Sequence, residues 1–204
     1  MKALPVEWSL LQQIATAFYA DEMTRDAARS AVIDVVLGRL KCSRVSLWRF
    51  DGEPGSSRLL CFASKFSGQA LVTRQRALQE QEYSAYFDAL VRSGMYASAD
   101  AMSDANLAPM RASYLVPNRV HSMLDAAFMV NGRAFGMVCC EQTDALRAWR
   151  TDEIADLRAI VAKLAMLMVS ARDEVLWATP SRAMRVTRRR CAAGRRAAAA
   201  PPPR

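Results

Sequence analysis

The chain has 204 residues, 52% of them hydrophobic and 24% charged, enough for one domain with a full core and ordinary for a folded protein. No apolar run approaches the ~20 residues of a membrane helix, and the opening MKALPVEWSLLQQ lacks the apolar stretch of a secretory signal, so the cytoplasm is the expected compartment. The net charge of +8 belongs to one end. Eight arginines (Arg182, Arg185, Arg188, Arg189, Arg190, Arg195, Arg196 and Arg204) stand in 178–204 with no acidic residue, leaving 20 basic against 20 acidic residues in 1–177. The body is neutral, so the pI near 9.7 does not indicate a nucleic-acid-binding domain.

Trp8, Leu11, Ile14, Ala15 and Phe18 recur at three-to-four spacing and predict an amphipathic first helix. A second helix is expected over 24–40, with Ala28, Ala31, Val32, Val35 and Val36 inward. The run VSLWRF (45–50) is β-prone, DGEPGSS (51–57) breaks it, and LLCFA (59–63) resumes as a second strand, which makes a hairpin. Tyr83, Tyr86, Phe87, Leu90 and Val91 predict a third helix stopped by Gly94. A short strand follows at 95–98, then a brief helix capped by Ser103 or Asp104 and carrying Leu107, Met110 and Tyr114. Two strand-like runs, 122–130 and 133–141, flank Asn131-Gly132, the dipeptide most suited to a two-residue hairpin. Thr151, Asp152 and Glu153 open a closing helix with the stripe Ile154, Leu157, Ile160, Val161, Leu164, Leu167 and Met168, running to about Trp177. The segment 178–204 has no aromatic residue and no apolar stripe, so we expect a disordered Arg/Ala/Pro tail. Weak, salt-sensitive contact with nucleic acid or anionic surfaces is the most such a tail offers. Strands that meet through hairpins imply a mainly antiparallel sheet flanked by helices, an α+β fold.

The five cysteines, Cys42, Cys61, Cys139, Cys140 and Cys191, are odd in number and match no disulfide framework, so free thiols are expected. Cys139 and Cys140 are adjacent on a strand and should face opposite sides of the sheet, which spoils them as a redox or metal-binding pair. One histidine and no spaced Cys/His cluster leave little for a metal. Nothing resembles a nucleophile elbow or a phosphate-binding glycine loop.

Four stretches carry a family resemblance: SRVSLWRFD (43–51), YASADAMSDANL (96–107), HSMLDAAFMVNGRAFGMVCCE (121–141) and RAWRTDEIADLRAIVAKLA (147–165). In this order they resemble the GAF domains of bacterial sensory proteins. The resemblance spans roughly 8–175. It implies a GAF-like α+β fold and a regulatory module, not a catalyst. Such a module binds a small molecule and signals through its terminal helices to an output domain or partner; the ligand's identity is left open.

Narrower readings are tested on their motifs. Cyclic-nucleotide-binding members carry Asn-Lys, then Phe, then Asp-Glu; here Asp152-Glu153 match, but Glu141-Gln142 replace Asn-Lys and Trp149 is one place from the Phe. Helix-opening duty accounts for Asp152-Glu153 equally well. Bilin-binding members carry a reactive Cys followed by His in the pocket loop, and the sole histidine, His121, follows Val120. A GAF-fold thiol reductase acting on free methionine sulfoxide is the enzymatic alternative, and a ligand-free dimerisation module is the third reading. The resemblance points to residues 66–116 as the cover of a ligand pocket. Its candidate lining is Phe66, Tyr83, Ser98, Asp100, Asp104 and Tyr114, with Asp125 from the sheet. For Ser98, Asp100 and Asp104, turn and cap duty stands beside ligand contact; Ser122 and Asp125 have opposite parity, so a regular strand puts only one of them in a pocket. The first and last helices have apolar positions to spare and are expected to pair in a homodimer.

Overall fold

The computed structural model describes residues 6–73, 76–130 and 132–170. The tail read at 178–204, and the helix end beyond residue 170, lie outside the described residues. Helices α1 (Val6–Tyr19) and α2 (Arg25–Leu40) lead into strands β1 (Arg44–Asp51), β2 (Arg58–Phe66) and β3 (Arg76–Gln79). Helix α3 (Ser84–Ser93), strand β4 (Met95–Ser98), a 3₁₀ helix (Ala105–Met110) and a π-helical turn (Arg111–Leu115) follow. Strands β5 (Val120–Val130) and β6 (Arg133–Thr143) and helix α4 (Thr151–Ser170) complete the fold. The six strands form one sheet in the order β3-β2-β1-β6-β5-β4, every pair antiparallel.

The boundaries have local causes. The Thr24 hydroxyl caps α2 by accepting from the Ala27 amide at 3.2 Å. Gly94 ends α3 in the left-handed region, φ 70°, with its N–H on the Leu90 carbonyl. Glu153 reaches back to accept from the Arg150 amide at 2.9 Å, half of a capping box at the start of α4. The β3 strand carries no alternating pattern, and the sequence gives no warning of it; its pairing with β2 supplies its order.

Each sheet face carries its own core. Against α1, α2 and α4 lie Val45 and Leu47 of β1, Leu124, Ala126 and Phe128 of β5, and Val138 and Cys140 of β6, packed with Val32, Ile33, Val36, Leu157, Ile160 and Leu164. On the opposite face Trp48, Met123, Met137 and Cys139 meet α3, the 3₁₀ helix and the π-helical turn. A β-bulge determines what β2 contributes. Its register steps from Leu47↔Ala63 to Trp48↔Cys61, so Phe62 is the extra residue and joins Ala63 in the helical core. Leu59 and Cys61 are thereby turned to the other face. Cys139 and Cys140 do face opposite sides, Cys139 in the core beneath α3 and Cys140 with Cys42 in the helical core.

Candidate functional site

The face away from α1, α2 and α4 is roofed by α3, the 3₁₀ helix and the π-helical turn, and its polar groups fall into two sets. The first begins with Arg44, Ser46 and Trp48, alternate residues of β1 that share one side of the strand. The Arg44 Nε donates in a short contact to the Glu141 carboxylate, which β6 delivers directly opposite in the register Arg44↔Glu141. Its Nη1 donates to Asn118 Oδ1 at 3.2 Å and its Nη2 to the Tyr114 hydroxyl at 3.3 Å. The Tyr114 hydroxyl donates to the other Glu141 oxygen at 2.6 Å. Glu141 is fully buried and Arg44 nearly so. A buried carboxylate is tolerable only when its charge is matched and its lone pairs are filled; here a guanidinium and a phenol do both. Burial opposes the charge on Arg44, yet Glu141 holds its pKa above the ordinary value. Burial and the Glu141 charge push the Tyr114 phenol well up, so it remains a neutral donor.

This network floors a cleft of about 320 Å³, walled by Ser46, Trp48, Cys61, Phe66, Val72, Arg76, Tyr114 and Asn118. The Arg44 guanidinium lies over the Phe66 ring, 5.2 Å from its centroid, and that of Arg76 over the Tyr114 ring at 5.0 Å. The Trp48 indole donates to Ser46 Oγ at 2.8 Å.

The second set lies deeper. Asp125 is fully buried; one carboxylate oxygen accepts from the Tyr86 hydroxyl at 2.7 Å, and the other has no hydrogen-bonded oxygen or nitrogen partner. Loss of solvent pushes its pKa up to about 7, against the downward pull of the Cys139 thiol and the Tyr86 hydroxyl. Tyr96 packs edge-to-face on Tyr86 and donates to Asp104 at 2.8 Å.

The structure therefore separates the sequence candidates. Phe66 and Tyr114 wall the cleft. Tyr83 is buried in the same core, its hydroxyl 3.2 Å from Ser113 Oγ. Asp125 sits beneath α3, bonded to Tyr86. Ser98 is buried on β4, paired with Met123. The Asp100 carboxylate accepts from the Met102 and Ser103 amides and the Ser103 hydroxyl. Asp104 caps the 3₁₀ helix through the Asn106 amide. Ser122, of opposite parity to Asp125, donates to the Ala99 carbonyl and accepts from the Arg147 amide. Arg44, Arg76 and Asn118 on the cleft, and Glu141 beneath it, are residues that sequence reasoning missed. Arg44 next to a strand start and Glu141 ending an apolar strand were the available signals; only the β1–β6 register makes them partners.

Arg147 forms a separate hub. Its guanidinium donates to the Lys41 carbonyl at the end of α2, to Gln142 and to Glu153, and lies 4.4 Å from the Trp149 ring centroid. It ties α2 and the start of α4 to β6 at Gln142, one residue beyond Glu141. Among the described residues, no group of three or more His, Cys, Asp or Glu is arranged to hold a metal ion, and no helix is long and apolar enough to cross a membrane.

Comparison with known proteins agrees with this architecture. The family model described as GAF domain matches residues 25–168. Among solved structures, the phycocyanobilin-bound GAF domain of a cyanobacterial phytochrome superposes with a TM-score of 0.62 at 17% identity, over 83% of this chain and 97% of that one. The phycoerythrobilin-bound GAF domain of a cyanobacterial phytochrome gives 0.62 and 17%, over 83% and 98%. The blue-light-absorbing form of the Thermosynechococcus elongatus PixJ GAF domain gives 0.58 and 15%, over 94% and 97%. At these identities the likeness is one of fold. No curated protein matches the sequence.

Proposed function

The chain belongs to the GAF domain family, and from that premise we propose that it is a non-enzymatic sensory module. It binds a small molecule in the Phe66–Tyr114 cleft and passes occupancy to α1 and α4, and through them to a partner. The observation that carries this reading is the buried Arg44–Glu141–Tyr114–Asn118 network at the cleft floor. It joins the sheet to the cover, so a ligand that moves Tyr114 also moves β1 and β6. Glu141 leads along β6 to Gln142 and the Arg147 hub, which holds the first turn of α4. Phe66 and Tyr114 contact the ligand directly, while Tyr83, Ser98, Asp100, Asp104 and Asp125 fix the cover and the sheet that frame it.

Two of the solved neighbours named above hold bilins, but this chain's residues do not fit one. Trp48, Tyr86, Phe87, Tyr96 and Met137 fill the space between sheet and cover, which leaves the 320 Å³ cleft too small for a linear tetrapyrrole. The described cysteines are all buried, and the one on the cleft, Cys61, has its thiol pushed up to about 12 by burial. The same burial counts against the thiol-reductase alternative, whose chemistry needs accessible thiolate. The Cys139 and Cys140 thiols are also pushed up. Cys42 moves the other way, because Cys140 hydrogen-bonds to it, yet it is only 3% exposed.

A homodimer through α1 and α4 supplies the mechanical outlet. Leu10 on α1 and Met166 on α4 are 41% and 56% exposed, apolar groups turned away from the domain's own core. Native mass spectrometry of the purified full chain tests both parts. A co-purifying small molecule that Tyr114→Ala releases, on a dimer, is the expected result. A ligand-free monomer with wild-type and variant alike removes the sensory reading, and a ligand-free dimer favours the plain dimerisation module.

A further inference from the structure

We infer that the cleft takes a compact monocarboxylate with a flat apolar body, one ring and its substituents. The inference rests on the cleft being the sensory site proposed above. Its first ground is charge. Among the described residues three cations reach the cleft walls: Arg44, Lys65 and Arg76. Arg44 is neutralised by Glu141, and the Lys65 ammonium is drawn 2.7 Å from Asp34 on α2. Arg76 makes no salt bridge among the described residues; its guanidinium rests on the Tyr114 ring. Among the described residues no acidic side chain lines the cleft itself; Glu141 lies beneath it, spent on Arg44 and Tyr114. The described residues of the site thus carry one uncompensated positive charge, which a single carboxylate balances and a phosphate dianion overbalances.

The second ground is unused donor capacity. The bonds from Arg44 to Glu141, Asn118 and Tyr114 use three of its five guanidinium N–H groups. The Arg44 and Arg76 guanidinium groups both lie over the Tyr114 ring, 5.8 and 5.0 Å from its centroid. A carboxylate placed between them therefore meets one fixed fork and one adaptable one. The third ground is shape. Phe66 and Tyr114 offer ring surface and Val72, 46% exposed, offers an apolar rim. A volume of about 320 Å³ stands near the lower end of small-molecule sites, which run from about 300 to 1,000 Å³.

The test is a titration of the ¹⁵N-labelled full chain, followed by amide NMR, with benzoate, with its neutral isostere benzamide, and with inorganic phosphate. Benzoate should bind at least tenfold more tightly than benzamide and more tightly than phosphate. Arg76→Gln, at an exposed strand position, should erase the benzoate margin while leaving benzamide unchanged, and Arg76→Lys should keep part of it. Benzamide binding equal to benzoate, phosphate binding tighter than benzoate, or benzoate affinity unmoved by Arg76→Gln each overturns the inference. Benzamide binding that Phe66→Ala abolishes would, in the first of those cases, leave the sensory cleft standing and reject only its charge class. If no probe perturbs the amides of Trp48, Phe66 and Tyr114, the carboxylate class and the sensory cleft fall together.

Discussion

The two faces of the sheet solve different problems with the same strands. The face under α1, α2 and α4 is built almost wholly of aliphatic side chains, Val32, Ile33, Val36, Leu124, Val138, Leu157 and Ile160 among them. The other face carries Trp48, Tyr83, Tyr86, Tyr96 and Tyr114, with Arg44, Asp125 and Glu141 buried between them. The first holds the domain together by excluding water. The second holds charges and phenols in fixed geometry, at a cost that only complete pairing offsets. A sensor benefits from this division, because the polar face can respond to a ligand while the aliphatic face keeps the scaffold constant.

The sharpest way to break the contrast is to remove one half of a buried ion pair. Glu141→Leu leaves Arg44 without its counter-charge and should cost about 3–5 kcal/mol in urea unfolding. Adding Arg44→Met should restore most of that loss, since replacing both partners removes the unpaired charge. A double variant as unstable as the single one would mean that the network contributes stability beyond its own neutralisation.

The next effect is a dependence on pH that only the polar face can show. Burial raises the Asp125 carboxyl from 3.8 to about 7 in the folded chain. Its contribution is therefore fully present below about pH 4, and is lost as pH rises through 7, where folding must keep a proton or bury a bare carboxylate. A single carboxyl moved that far changes stability by about 4 kcal/mol across the window. Tyr86, Cys139 and Glu141 face it; Glu141 adds to the rise. Asp125→Asn should flatten the difference between pH 5 and pH 8 and raise the midpoint at pH 8. Parallel profiles for variant and wild type would show that Asp125 does not titrate there.

The same contrast explains what the sequence disclosed. Three-to-four spacing marked Leu11 and Ile14, Val32 and Val36, Leu157, Ile160 and Leu164, and α1, α2 and α4 stand where it pointed. Asn131-Gly132 and the Gly94 stop predicted the β5–β6 hairpin and the end of α3. Both cues are local, because periodicity and turn chemistry act within one element. The cleft is not local. Arg44, Tyr114 and Glu141 come from β1, the π-helical turn and β6, 27 and 97 residues apart along the chain, and no spacing rule joins them. The β2 bulge defeats parity outright: strict alternation from Ala63 would have put Cys61 in the helical core, and one extra residue sends it to the cleft.

On the aliphatic face, Leu157→Ala should cost about 3 kcal/mol, within the usual range for a fully buried leucine. The loss should be nearly the same at pH 5 and pH 8, because the core that Leu157 fills is built mostly of aliphatic side chains. A pH-dependent loss in thermal or urea unfolding would show that the two faces are coupled through the sheet.

The smallest change falls at the junction of the two functions. Tyr114→Phe removes a single oxygen that donates to Glu141 at 2.6 Å and accepts from Arg44 at 3.3 Å, and keeps the ring under Arg76. Glu141 retains Arg44, so no charge is orphaned, but one carboxylate oxygen loses its donor in a buried site. The expected cost is about 1–2 kcal/mol of stability. The ring surface of the cleft survives, so the affinity for a flat ligand should change less than threefold. What should fail is the transmission. Without the phenol, occupancy of the cleft no longer bears on Glu141, and the ligand-induced shifts of the Arg147, Trp149 and Glu153 amides should collapse while those of Phe66 and Arg76 persist. Full shifts at the start of α4 in the folded variant would route the signal through the Arg44–Glu141 pair alone.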